Sequence, residues 1–252
     1  MAKVVVNKRR YTPEEVVQVA VHNYPLEIEQ KAVDGDAKSA APATSAAAPA
    51  AVIAAATTLS AIDARAVVFA RLCSLVQQQQ LLHSKAVSGL AESLNQRRAL
   101  VLPAAASDDA VLEALSVQVT TDAFAKDQIR CGLSASAGIG SIAVYAAATC
   151  LDLADVTAAL SCEAYGAFTD PFSADEIDQM RPHASVMQVA SNLRSLLQAS
   201  KQVNNATKHA GLNPDCFRCI PQLHAPARDQ LALATKAVRV ELNAVTSTAV
   251  QR

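Results

Sequence analysis

One residue in five is alanine, and this excess constrains the fold more than any other feature: 53 of 252 positions, against 7 glycines, 5 phenylalanines, 4 tyrosines and no tryptophan. Alanine loses no side-chain entropy on entering a helix and heads the helix-propensity ranking. Sandwiches and barrels draw instead on β-branched and aromatic side chains and on frequent glycine turns. The expected fold class is therefore all-α. Global disorder is ruled out, because a chain that is 51% hydrophobic and 18% charged can bury a core. Its 22 basic and 23 acidic residues nearly cancel, so the sequence carries no electrostatic footprint for nucleic acid.

Helix signals punctuate the chain. Thr12, Pro13 and Glu15 supply an N-cap, a proline at the first helical position and a capping-box carboxylate, predicting a helix over 13–22. Residues 34–58, rich in Ala, Pro, Ser and Thr, read as a low-complexity linker between an N-terminal helical segment (1–33) and a helical domain (59–252). Val52 to Thr57, at the end of that linker, read alternatively as the first turn of the next helix. Helical periodicity then predicts helices from Ser60 to about Gln80 and from Leu81 to Gln96, with Pro103 as a break before a third near Ser107. The span 139–165 is the most apolar, its charges limited to Asp152, Asp155 and Glu163. Its longest apolar stretch, Ile139–Leu151, is interrupted by Ser141 and closed by Asp152, is too short for a bilayer and reads as a buried helix, so no membrane association is expected. Ser173 and Glu176 form a further capping box ahead of a short helix stopped by Pro182. Val186–Ser200 and Ala225–Thr246 read as amphipathic helices, and no strand is expected.

Six cysteines in a chain this long do not resemble a secreted disulfide framework, and the opening MAKVVVNKRRYTPEE lacks a signal-peptide core. The expected location is intracellular, most simply cytoplasmic. Lys8, Arg9 and Arg10 fit an organelle presequence, but Glu14 and Glu15 follow closely.

Three motifs invite chemistry. Gly138-Ile139-Gly140-Ser141-Ile142-Ala143 matches a loose dinucleotide fingerprint, yet no buried strand precedes it, so it reads as a small-residue helix entrance. Cys216 and Cys219, with His209 and His224 on either side, offer four zinc ligands, but their spacing is looser than a zinc hairpin requires and no metal is expected. Arg218, and Arg181 in Arg181-Pro182-His183, either clamp a carboxylate or cap and bridge helices. Gln77–Gln80 reads as a solvated helix face.

Two blocks carry a family resemblance: LADVTAALSCEAYGAF followed by RPHASVMQVASNLRSLLQAS, and FRCIPQLHAPARD followed by VELNAVT. They resemble the apolar central helix, RPH turn, LRxLL helix, RCxPQxHG segment and ELN helix end of the histidine and aromatic amino-acid ammonia-lyases. YTPEEVVQVA and the span from Asp63 to Pro103 are similar to the family's opening helices. The resemblance implies the N-terminal and central part of a long-helix bundle, with the chain ending near the ELN motif, about half a family length early.

That family makes its own electrophile, a methylidene-imidazolone, by cyclising and dehydrating an Ala-Ser-Gly tripeptide. The equivalent place here is Ala106-Ser107-Asp108, where aspartate stands for the glycine that ring closure needs. The supporting Asn-Gly-Thr falls on Leu133-Ser134-Ala135, the tyrosine-bearing loop on the Ala/Pro/Ser insert, and a further tyrosine on Asp215. Arg218, at the substrate-carboxylate position, is retained. The expected protein is a non-catalytic lyase-like structural or interaction subunit without the electrophile. Its expected partners are further copies or a larger assembly, a full-length lyase paralogue among them. Two other readings are residual lyase or aminomutase activity with groups borrowed from such a partner, and an amino-acid sensor using Arg218.

Overall fold

The computed structural model describes residues 3–7, 9–29, 58–77, 84–104, 107–130, 132, 134–179, 182–204 and 213–244. The expected linker, apart from Thr58, lies outside the described residues, as do Gln78–Gln80, Ala106, Leu133, Arg181 and His209. The chain packs as two compact units, one of residues 1–145 with 235–252 and one of residues 146–234.

The first unit opens with a small element that the sequence reading did not expect. Strands β1 (Val4–Val6) and β2 (Leu26–Ile28) pair in parallel, Val4 opposite Leu26, with helix α1 (Pro13–Ala20) as the crossover. Three-residue strands are too short to show alternation, so the valines of β1 were the only signal and β2, Leu-Glu-Ile, carried none. The capping box of α1 is present in part: the Thr12 amide donates to the Glu15 carboxylate at 3.0 Å. Helices α2 (Ala61–Gln77), α3 (Ser84–Asn95) and α4 (Asp108–Val119) follow near the expected positions. Helix α5 (Ala123–Arg130) was not anticipated, since AFAKDQIR mixes charge with few apolar residues. The core is centred on α2, in which every residue from Ala66 to Val76 is buried. Phe69 meets Tyr11 edge to face at 6.1 Å between ring centres, and Leu72, Leu90, Leu112, Leu115 and Ile129 fill the surrounding space.

Helix α6 (Ser134–Tyr165) has 32 residues and begins five residues before the expected span. At 1.5 Å per residue it is about 48 Å long. Its early glycines serve packing. A Cβ on Gly138 would stand 2.6 Å from the Ala66 carbonyl oxygen of α2, so only glycine permits this crossing. The reading of a buried helix too short for a membrane needs correction. The helix is long and apolar enough to cross one, with a mean hydropathy of 1.5 over its best window, and only 22% of that window is buried. Ser134 and the neighbouring small residues do not stop it, because hydroxyls fold back onto the helix; Ser141 donates to the Ala137 carbonyl at 2.8 Å.

In the second unit the C-terminal part of α6 packs with α7 (Ala184–Leu197), α8 (Asp215–Arg218) and the start of α9 (Ile220–Leu242). Cys162, Phe172, Val189, Leu193 and Ile220 form its core. The Ser173 cap holds, accepting the Glu176 amide at 3.2 Å, but the segment it opens is a π-helical turn, Asp175–Gln179. Helix α9 starts five residues before Ala225, and Pro226 lies inside it rather than at its start.

Within the first unit, the far end of α9 is tied to the N-terminal segment. Asn243, of the ELN triplet, donates to the Tyr11 carbonyl at 2.8 Å and accepts from the Tyr11 amide at 2.6 Å.

Candidate functional site

Of the expected electrophile tripeptide, Ser107 and Asp108 lie at the start of α4. Thr58 bridges Pro103 in antiparallel fashion, and the Leu59 amide donates to the Leu102 carbonyl at 2.8 Å. This pairing brings Leu59 and Pro103 to the mouth of a half-open cleft of about 340 Å³. Ser107 precedes the helix with extended torsions, φ −129° and ψ 143°, and Asp108 is the first helical residue. Its carboxylate reaches the first turn of α6. The Ser136 amide lies 3.2 Å from each carboxylate oxygen, and the Ser136 hydroxyl donates to Oδ2 at 3.1 Å. Helix starts carry unpaired amides and partial positive charge, which explains why aspartate settles there.

One buried cation of α2 carried no expectation from the sequence. Arg71 is wholly buried in α2, donating to the Ser74 hydroxyl at 3.2 Å and to the Gln128 carbonyl. Gly132, with φ 138°, turns the chain beside it; a Cβ there would lie 2.5 Å from Nη1 of Arg71. The available signal was a cation inside an apolar helical run, since a buried charge demands partners.

The second unit holds the other named residues. Arg218 pairs with Asp215, one turn away, and both side chains are substantially exposed. Cys216 is exposed and Cys219 half-buried. Burial, and then the charge of Cys216, push the Cys162 thiol up to about 11. No group of three His, Cys, Asp or Glu side chains suited to a metal occurs among the described residues. His183 stands before α7 without a side-chain capping bond.

His224 is engaged elsewhere, in the best-connected polar cluster of this unit. Its Nδ1 lies 2.8 Å from Oδ1 of Asp155, an aspartate only 1% exposed. Oδ2 of Asp155 accepts from Arg228 at 2.6 Å and from the Asn192 amide at 2.8 Å. Arg228 also reaches the Asp152 carboxylate at 3.0 Å and the Leu151 carbonyl at 3.2 Å. The cluster ties α6, α7 and α9 together and was not anticipated, although an aspartate in the most apolar helix was its visible sign.

Residues 109–249 match the model of the aromatic amino acid lyase family. The chain belongs to that family. Among curated family members, histidine ammonia-lyase of Streptococcus sanguinis is 37% identical over 115 residues, which are 46% of this chain and 22% of that protein. The fold agrees over a longer span. Phenylalanine aminomutase of Pantoea agglomerans superposes with a TM-score of 0.81 at 17% identity, covering 98% of this chain and 63% of that one. Histidine ammonia-lyase of Trypanosoma cruzi gives a TM-score of 0.79 at 18% identity, covering 98% and 58%. The chain thus has the mainly helical lyase fold and spans about three fifths of these solved family members.

Proposed function

We propose that this chain is a non-catalytic member of the aromatic amino acid lyase family, acting as a helical structural or interaction subunit of an oligomer or larger assembly. The observation that carries the reading is the geometry at Ser107 and Asp108. Closing the five-membered electrophile would require the amide nitrogen of residue 108 to bond the carbonyl carbon of residue 106. Both torsions of Ser107 must then approach the eclipsed, ring-closing range. Instead they are extended, φ −129° and ψ 143°, and the Asp108 carboxylate is bound to Ser136. The residues present do not fit the group.

Other positions support the same reading. By resemblance the Asn-Gly-Thr equivalent is Leu133-Ser134-Ala135, which contains no asparagine. Arg218, the carboxylate clamp by resemblance, is paired with Asp215. An intracellular location accords with the free thiols of Cys73, Cys150, Cys162, Cys216 and Cys219.

The subunit role is supported by apolar surface. In the second unit α6 exposes Leu153 (62%), Val156 and Leu160 (61%), spaced three and four apart along one stripe, and α9 exposes Leu223 and Leu233. Such spacing is that of a helix-packing seam. Light scattering tests the role: the purified chain has the mass of a dimer or larger, and Leu153→Glu combined with Leu160→Glu lowers it while the helical circular-dichroism signal is kept. A wild-type chain that is monomeric at micromolar concentration and captures no helical partner contradicts it.

A further inference from the structure

Cys216 and Cys219 lie one helical turn apart at the corner where α8 meets α9, and we propose that they form a thiol–disulfide exchange site whose substrate is a small disulfide of the glutathione type. The Arg218 amide donates to the Pro214 carbonyl at 3.0 Å and the Cys219 amide to the Asp215 carbonyl at 2.9 Å, so this stretch is a turn of α-helix. Residues three apart in such a turn stand about 5 Å between α-carbons, inside the span that a disulfide bridges. Cys219 closes the turn with φ −98° and ψ 12°, at the joint between the two helices. Phe217, between the thiols, stacks on Tyr165 of α6 with ring centres 4.8 Å apart and anchors the turn on the core of the second unit.

Access assigns the roles. Cys216 is exposed and Cys219 half-buried, so Cys216 is the entry thiol and Cys219 the resolving one. Cys216 gives its proton to solvent, and its thiolate attacks one sulfur of glutathione disulfide. That S–S bond breaks, one glutathione leaves as thiolate, and a mixed disulfide remains on Cys216. Cys219, deprotonated in turn, attacks the Cys216 sulfur and expels the second glutathione. The two protein thiols are oxidised to a disulfide, glutathione disulfide is reduced to two glutathiones, and these take up the two protons. Cys162 of α6 is close enough to feel the charge of Cys216, but it is wholly buried, and burial keeps it protonated at neutral pH and out of the exchange. Cys150 is exposed about 18 Å along α6 from Cys162 and serves as the reference for an unassisted surface thiol. The chemistry does not depend on whether the chain is a structural subunit, and light scattering does not bear on it.

The full chain, reduced and then incubated with millimolar glutathione disulfide, is alkylated, digested and mapped by mass spectrometry. Cys216 and Cys219 are recovered linked to each other, two hydrogens lighter, in at least about tenfold excess over their glutathione adducts, whereas Cys150 carries glutathione. Cys219→Ser stops the exchange after its first step and leaves glutathione on Cys216, and dithiothreitol reverses both products. Glutathione retained on Cys216 of the unmodified chain, a Cys216–Cys162 bridge, or two thiols that stay reduced each overturn the proposal. The map of the unmodified chain decides the matter even where the variant folds poorly.

Discussion

Asp155 shows how much one buried charge can organise. A carboxylate removed from water is costly unless its lone pairs are matched, and here His224, Arg228 and Asn192 match them. Deleting it leaves the imidazole without this partner and the partly buried guanidinium with only the Asp152 carboxylate and the Leu151 carbonyl. Asp155→Ala therefore costs about 3 kcal/mol or more, read from the denaturant midpoint. A loss below about 1 kcal/mol would show that the cluster is solvated rather than structural. The acidic residue was conspicuous in the sequence, but its partners lie 37, 69 and 73 positions away and follow no local pattern. Titration belongs to the same scale. Burial raises the thiols of Cys162 and Cys73 and the phenol of Tyr11. Each raised group favours the folded state below its unfolded value, and that advantage is lost as pH rises. For Cys162 the loss runs from 9.0 to about 11. Melting temperature should fall progressively across this interval, and less steeply in Cys162→Val; a flat profile contradicts the assigned burial.

Among the elements, α6 is the most informative. Its Gly138-Ile139-Gly140 start has the look of a phosphate-binding turn, but its glycines are helical and serve close approach. Gly138 meets the backbone of α2, and Gly140 lies against Val238. Gly138→Ala should cost about 1–3 kcal/mol through the backbone displacement it forces, measured by thermal or chemical unfolding. An unchanged or raised stability would refute the close crossing. Most helices were legible because caps and prolines mark their ends in the sequence. The β1–β2 pair and α5 were not, since three-residue strands and an eight-residue polar helix owe their form to what they pack against. The exposure of α6 was also illegible: apolar content predicts that a surface wants covering, and cannot say whether this chain covers it.

At the scale of the molecule, the chain has the mainly helical lyase fold over part of its relatives' length, and the proposed reading places its departures where chemistry would be done. Almost all of the chain, 98%, superposes on solved family members, of which it covers 58% and 63% in the two cases compared. The family blocks were readable from residue patterns because helix corners such as RCIPQLH and ELN serve packing; Asn243 shows this directly, holding the Tyr11 backbone from the end of α9. Asp108, at the place that resembles the family's glycine, was readable too, but its partner was not, because only the folded chain brings residue 108 to Ser136. Intact-protein mass spectrometry of the purified chain puts the central claim to its most direct test. The expected mass is that of the unmodified sequence, with Ala106, Ser107 and Asp108 intact on peptide mapping. A mass lower by two waters, localised to that tripeptide, would mean that the electrophile forms and that the chain is equipped for lyase chemistry.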